Sequence, residues 1–198
     1  IIKDHLILDA NASLLNYQYM NETFWKAYQQ QNQSSPNTTR NGTTEITKYN
    51  QIQTNATLTY KNVFNDVHDF SAMLGGEYYT YNEYKLENKV HGAPTDDIPT
   101  MNVAPDYDKV TSQKTAYRIL SAFGRVEYNY NMKYLLALTG RYDGISRLED
   151  NRWGFFPGVS AGWNVTQEDF WADSKLSEYI TTLKPRFSFG TNGNVNGL

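Results

Sequence analysis

Apolar and polar residues alternate along most of this chain, and that pattern limits the folds open to it. A period of two puts successive side chains on opposite sides of a β-strand. Over 6–14, Leu6, Leu8, Ala10, Ala12 and Leu14 share one side, and Ile7, Asp9, Asn11 and Ser13 the other. Over 51–61, Ile52, Ala56, Leu58 and Tyr60 oppose Gln51, Gln53, Asn55, Thr57, Thr59 and Lys61. Over 69–80, Phe70, Ala72, Leu74, Gly76 and Tyr78 oppose Asp69, Ser71, Met73, Gly75 and Glu77. In 120–131, Leu120, Ala122, Gly124, Val126, Tyr128 and Tyr130 oppose Ser121, Arg125, Glu127, Asn129 and Asn131, with Phe123 as the exception on the polar side. Tyr134, Leu136, Leu138 and Tyr142 then oppose Thr139, Arg141 and Asp143. In 157–166, Val159, Ala161, Trp163 and Val165 alternate with Ser160, Gly162, Asn164 and Thr166; in 184–190, Phe187 and Phe189 alternate with Lys184, Arg186 and Ser188. The prediction is an all-β chain of about seven strands with no long helix.

The connections add a direction. Breaks at 62–68 and 131–133 are short, whereas those at 20–48 and 82–115 are long and polar; 29–44 is nearly all Gln, Asn, Ser, Thr, Pro and Gly. In an up-and-down antiparallel meander, alternate connections emerge at the same end, so the two long ones share one end and the two tight ones the other. Outer-membrane barrels have that asymmetry. The alternating stretches span about 9 to 13 residues, and a tilted strand needs about 9 to 11 to cross a bilayer, against about 5 or 6 in globular proteins. An antiparallel β-sandwich adhesin or glycan-binding module alternates in the same way and is the competing class, although its turns come every 8 to 12 residues or so. For a barrel, an Arg or Lys at the lipid midplane would cost about 2–4 kcal/mol. The polar sides bearing Arg125, Glu127, Arg141, Asp143, Lys184 and Arg186 therefore line the lumen, and the Leu, Val, Ala and Tyr sides meet acyl chains.

Composition narrows the function. Among 198 residues, aromatics make up 15%, with Tyr 16 the largest contributor, and the net charge is −3. Tyrosine suits surfaces that are half apolar and half wet, membrane interfaces included; Tyr128, Tyr130 and Tyr134 flank one tight turn, where an aromatic girdle would sit. A near-neutral charge argues against nucleic acid as a partner. Cysteine is absent, which excludes disulfides and cysteine-metal sites. The first residues do not form a signal peptide.

The final third carries specific motifs. Arg141-Tyr142-Asp143-Gly144-Ile145-Ser146-Arg147 is followed by Arg152-Trp153-Gly154-Phe155-Phe156-Pro157-Gly158-Val159-Ser160-Ala161-Gly162-Trp163. Glu168-Asp169-Phe170, then Leu183-Lys184-Pro185-Arg186-Phe187-Ser188-Phe189-Gly190, then Gly193-Asn194 come after. This series resembles the SusC/RagA family of TonB-linked outer-membrane transporters, with the closest impression that of its RagA branch. Leu58-Thr59-Tyr60 before a tight turn and Leu74-Gly75-Gly76-Glu77 fit as well, so the likeness covers about 50–198; Ile145 and Leu148 depart from the family pattern. The resemblance implies a plugged barrel of about twenty-two strands, of which 1–198 would be one stretch without the plug and the last strands. It further implies energy supplied through TonB, a SusD/RagB-like surface lipoprotein as a lid, contact with membrane lipid and lipopolysaccharide, and oligopeptide or oligosaccharide cargo.

No catalytic constellation is present: His5, His68 and His91 fall on separate elements, and no enzyme activity, cofactor or metal is expected. Asp96-Asp97 and Asp106-x-Asp108 are the loop carboxylates whose oxygens suit Ca²⁺, with a solvated acidic loop as the favoured reading. The Asn-x-Ser/Thr triplets at Asn37 and Asn55 reflect the abundance of Asn and Thr. Gly154, Gly158 and Gly162 are expected to ease curvature or admit plug side chains. Trp153, Phe155, Phe156 and Trp163 are read as interface girdle and packing rather than a sugar platform. Arg125, Glu127, Arg141, Asp143 and Arg147 are the candidate contacts to plug or cargo.

Overall fold

The structure, a computed structural model, describes residues 5–28 and 38–193. Residues 29–37 of the first polar connection, Asn37 of its Asn-x-Thr triplet and Asn194 of the last motif lie outside them. Seven strands form a single sheet in sequence order: β1 (Leu6–Trp25), β2 (Asn41–Phe64), β3 (His68–His91), β4 (Asp106–Tyr130), β5 (Tyr134–Ile145), β6 (Trp153–Trp163) and β7 (Arg186–Gly190). The only α-helical turn among the described residues is α1 (Asp169–Ala172).

The resolved registers show why the alternation is so regular. Across β4 and β5, Val126 faces Leu138, Tyr128 faces Leu136 and Tyr130 faces Tyr134 on one side. Ser121 faces Asp143 and Arg125 faces Thr139 on the other. Across β5 and β6 the apolar side continues with Leu136–Ala161, Leu138–Val159 and Tyr142–Phe155, and across β6 and β7 with Val159–Phe189 and Ala161–Phe187. This apolar side has no second layer. Leu74 is 68% exposed and Phe189 63%. A sandwich would bury such residues between two sheets; a single sheet leaves them open, which excludes that reading and suits a lipid-facing wall.

Each of the two tight turns places three residues between its strands. Asn65 and Asp66, and again Asn131 and Met132, hold positive φ. Val67 N–H donates to Phe64 O and Lys133 N–H to Tyr130 O. Left-handed conformation at both central positions gives the turn whose twist matches that of the flanking strands.

Four corrections to the sequence reading follow. β1–β4 run for 20, 24, 24 and 25 residues, about twice the alternating stretches. The long connections shrink accordingly to 26–40 and 92–105. At about 3.3 Å per residue, 24 residues extend about 80 Å. Even tilted near 45° that exceeds a hydrocarbon core of about 30 Å. The excess needs no apolar side, so its strands read as polar loop. β6 starts at Trp153 and stops at Trp163; Val165 is buried in a 3₁₀ turn instead of alternating outward. Lys184 precedes β7, which begins after Pro185, as a residue without an N–H at a strand start predicts.

The chain divides into two compact units. The first (1–13, 53–79 and 118–198) carries both tight turns and β5–β7. The second (14–52 and 80–117) carries the two long connections. Its core is Val90, Ala93 and Ala104, with Phe24, Met101 and Val103 packed against them. Gly42 lies under Met101, whose Sδ would be 2.7 Å from any Cβ added there.

A lipid-facing wall predicts opposite responses at neighbouring positions. Leu138→Arg should cost the protein about 2–4 kcal/mol in lipid vesicles, whereas Thr139→Arg, one residue on, should cost well under half as much. Equilibrium unfolding in urea measures both; equal costs would remove the two-sided wall.

Candidate functional site

On the polar side of the first unit, side chains from five strands join into a band. Asn11 Nδ2 on β1 donates to Asn55 Oδ1 on β2 (3.3 Å), and Gln53 Nε2 on β2 donates to Glu77 Oε1 on β3 (2.8 Å). Arg141 on β5 connects the rest. Its Nη2 donates to Glu77 Oε2 (3.2 Å) and to Ser121 Oγ on β4 (2.9 Å), and its Nε to Asp143 Oδ1 (2.7 Å) and Oδ2 (2.9 Å). Ser121 is 3% exposed, so its hydroxyl must find a partner within the wall. The guanidinium also lies 5.5 Å from the centre of the Phe123 ring, within cation–π range.

Phe123, the one aromatic that broke the alternation, thus has a structural role. Its ring covers Gly75; a Cβ at Gly75 would lie 2.5 Å from it. Only glycine lets the ring lie flat against β3 and support Arg141 from below. Gly154 and Gly158 are used in the same way, under Phe156 and beside Thr139 Oγ1. Their small size therefore serves packing within the wall.

The other sequence candidates separate. Arg125 and Glu127 pair with each other on β4, each about half exposed. Arg147 is exposed in the β5–β6 connection, away from the strands. Trp153, Phe155 and Trp163 share the apolar side, where Trp153 stacks on Tyr142 at 5.0 Å and 12°; Phe156 lies on the polar side opposite Arg141. His68 Nδ1 is 2.7 Å from the Tyr128 hydroxyl, His5 neighbours Tyr60, and His91 sits 2.8 Å from Asp108. No group of three or more His, Cys, Asp or Glu among the described residues is placed to hold a metal. In the second unit Asp96 is engaged by Arg40 Nε at 2.7 Å and by the Ala27 N–H at 3.0 Å. The Arg40 contact, then the Ala27 N–H, holds its carboxyl below the usual range.

A second cluster was not visible in the alternation. It ties the connection 164–185 to the β4–β5 turn. Asn164 N–H donates to Lys133 O (2.7 Å) and its Nδ2 to Met132 O (3.3 Å). Glu168 Oε1 accepts from Tyr134 Oη (2.6 Å) and Trp163 Nε1 (2.9 Å), with Lys133 Nζ 3.1 Å from its Oε2. The Tyr134 hydroxyl, then Trp163 and Lys133, hold the Glu168 carboxyl down at about 2, and Glu168 raises the Lys133 ammonium in return. Trp171 is buried beneath this connection. The sequence showed Glu168 only as part of the motif Glu168-Asp169-Phe170.

No protein-family model matches the chain. A TonB-dependent receptor of Formosa agariphila is 32% identical over 142 residues, covering 70% of this chain and 14% of its own length. A second from that organism is 37% identical over 145 residues, covering 69% and 14%. The TonB-dependent receptor SusC of Bacteroides thetaiotaomicron is 33% identical over 133 residues, covering 65% and 12%. The RagAB peptide transporter superposes with a TM-score of 0.83 over 96% of this chain and 21% of that chain, at 20% identity. The chain belongs to the SusC/RagA family of TonB-dependent receptors. These are outer-membrane β-barrel proteins, and the sheet described above is an open stretch of such a barrel. It spans under a fifth of the length of the curated relatives it matches.

Two outcomes follow for this SusC/RagA chain. Arg141→Leu and Glu77→Gln should each destabilise the full-length receptor, with a coupling of about 1 kcal/mol in a double-mutant cycle; additive effects would break the band into independent contacts. Glu168 has a folded-state value of about 2 against an ordinary 4.5. Its contribution is present above the ordinary value and is lost as pH falls towards 2. Hydrogen exchange of 164–185 should therefore stay slow at pH 4, and Glu168→Gln should speed it at neutral pH. Unchanged protection in the variant would remove Glu168 as the tie.

Proposed function

We propose that this chain is part of the barrel wall of an importer in the outer membrane. The importer carries oligomeric nutrients too large for simple porins, driven through TonB, with a SusD/RagB-like lipoprotein as an extracellular lid. The observation that carries this reading is the single sheet with one unlayered apolar side and one polar side, superposable on a RagAB barrel. Such a wall has a lipid face and a lumen face. In that reading the Arg141 band lines the lumen, where plug or cargo passes, and the wall catalyses nothing. The relatives are named receptors and a transporter, which supports transport over catalysis.

Oligopeptide is favoured over oligosaccharide as cargo. The polar side mixes both signs of charge, as Arg125 with Glu127 and Arg141 with Asp143 and Glu77, and peptides carry both signs whereas most glycans are neutral. The native complex, purified in mild detergent and analysed by mass spectrometry, should release peptides. Release of glycans alone would overturn the cargo assignment, and uptake that persists after the proton gradient is dissipated would overturn the importer reading.

A further inference from the structure

The second unit holds a surface that neither the family nor the sequence motifs single out. Four tyrosines from four successive strands stand in a row. Tyr17 stacks on Tyr49 (4.8 Å, 23°), Tyr49 meets Tyr81 (5.8 Å, 32°) and Tyr81 meets Tyr117 (5.3 Å, 34°). All occupy odd positions, the parity that on β3 also carries Glu83, Lys85, Glu87 and Lys89. Next along the strands lies a concave site of about 540 Å³ lined by Glu45, Thr47, Lys85, Glu87, Lys109 and Gln113, among others. That volume is in the range of sites for small ligands. Charge of both signs surrounds it: Lys85 contacts Glu83 at 2.7 Å, and Glu87 contacts Lys109 at 2.5 Å and Lys89 at 3.2 Å.

We infer that this tyrosine row and the charged hollow beside it form a contact site for oligopeptides carrying charged side chains. The inference rests on the importer reading above. Sugars are recognised on an open aromatic face. Here the rings face one another across the strands, so they present edges and hydroxyls, which suit peptide amides. The neighbouring ion pairs are exposed, with Lys85 57% and Lys109 44% accessible. Exposed pairs contribute little to stability, so they exchange readily for a ligand's carboxylate or ammonium. A neutral glycan offers no such exchange.

The full-length receptor, purified with its lipoprotein lid, would be titrated by calorimetry with two charged nonapeptides of equal length, one acidic and one lysine-bearing, and with an uncharged one. Lys85→Gln with Lys109→Gln should weaken the acidic peptide about fivefold and leave the uncharged one unchanged. Lys85→Glu with Lys109→Glu should reverse the preference in favour of a lysine-bearing peptide, which shows that the variant is folded. Equal binding of the acidic peptide by wild type and both variants overturns the site while the importer reading stands. Altered affinity for the lid with unaltered peptide binding overturns it as well, in favour of a lid surface. If wild type binds an oligosaccharide and neither peptide, the peptide cargo assignment fails together with the site.

Discussion

Everything in this structure depends on backbone pairing between neighbouring strands. In hydrocarbon an unpaired N–H or C=O costs several kcal/mol, and only a sheet that passes its hydrogen bonds from strand to strand satisfies them across a membrane. Once strands pair in sequence order, each side chain has only two directions to go. One direction is lipid and the other is lumen, so chemistry is sorted by parity alone. Leu136, Leu138, Phe187 and Phe189 are exposed on one side, and Arg141, Asp143 and Ser121 are joined on the other, for this single reason.

A wall one layer thick has no core to stabilise it, and the side chains themselves make the lateral connections. On the polar side the Arg141 band links β3, β4 and β5, with the Phe123 ring packed against Gly75. On the lipid side Tyr142 and Trp153 stack. Where the wall leaves the region that alternation marks, tyrosine pairs running from β1 to β4 take over the same task. The device changes with the surroundings: charge and hydroxyl in the lumen, ring faces against lipid, ring on ring beyond.

The fold was legible where the environment differs between the two sides. Alternation marked all seven strands, and the Asn-Asp and Asn-Met turns fell where the breaks predicted. It failed for the outer halves of β1–β4, because a strand wet on both sides has no apolar side to betray it; residues such as Lys85, Glu87 and Lys109 read as loop. Of the candidate site, Arg141 and Asp143 were found from charge parity. Glu77 and Ser121 were on the correct side but unremarkable, since a hydroxyl that completes a network looks like any other serine. Arg147 lies in the β5–β6 connection, outside the strands that form the band. The Glu168 tie escaped because its partners come from separate elements at one end of the sheet.

The three-residue turns carry a consequence for how the chain assembles. Long strands joined by so short a link can close like a zipper from the turn outward, each new pair adjacent in space to the last, so β2–β3 and β4–β5 are kinetically self-sufficient hairpins. The partner strands β6 and β7 are separated by the connection 164–185. By the logarithmic scaling of loop closure, a link about seven times longer costs about 2 kcal/mol more entropy before its first pair forms. The contacts of Glu168 and Asn164 with the β4–β5 turn shorten that search by docking the link onto a hairpin already made. Assembly then has an order built into it: hairpins first, and the last strand only after its tether has been fixed.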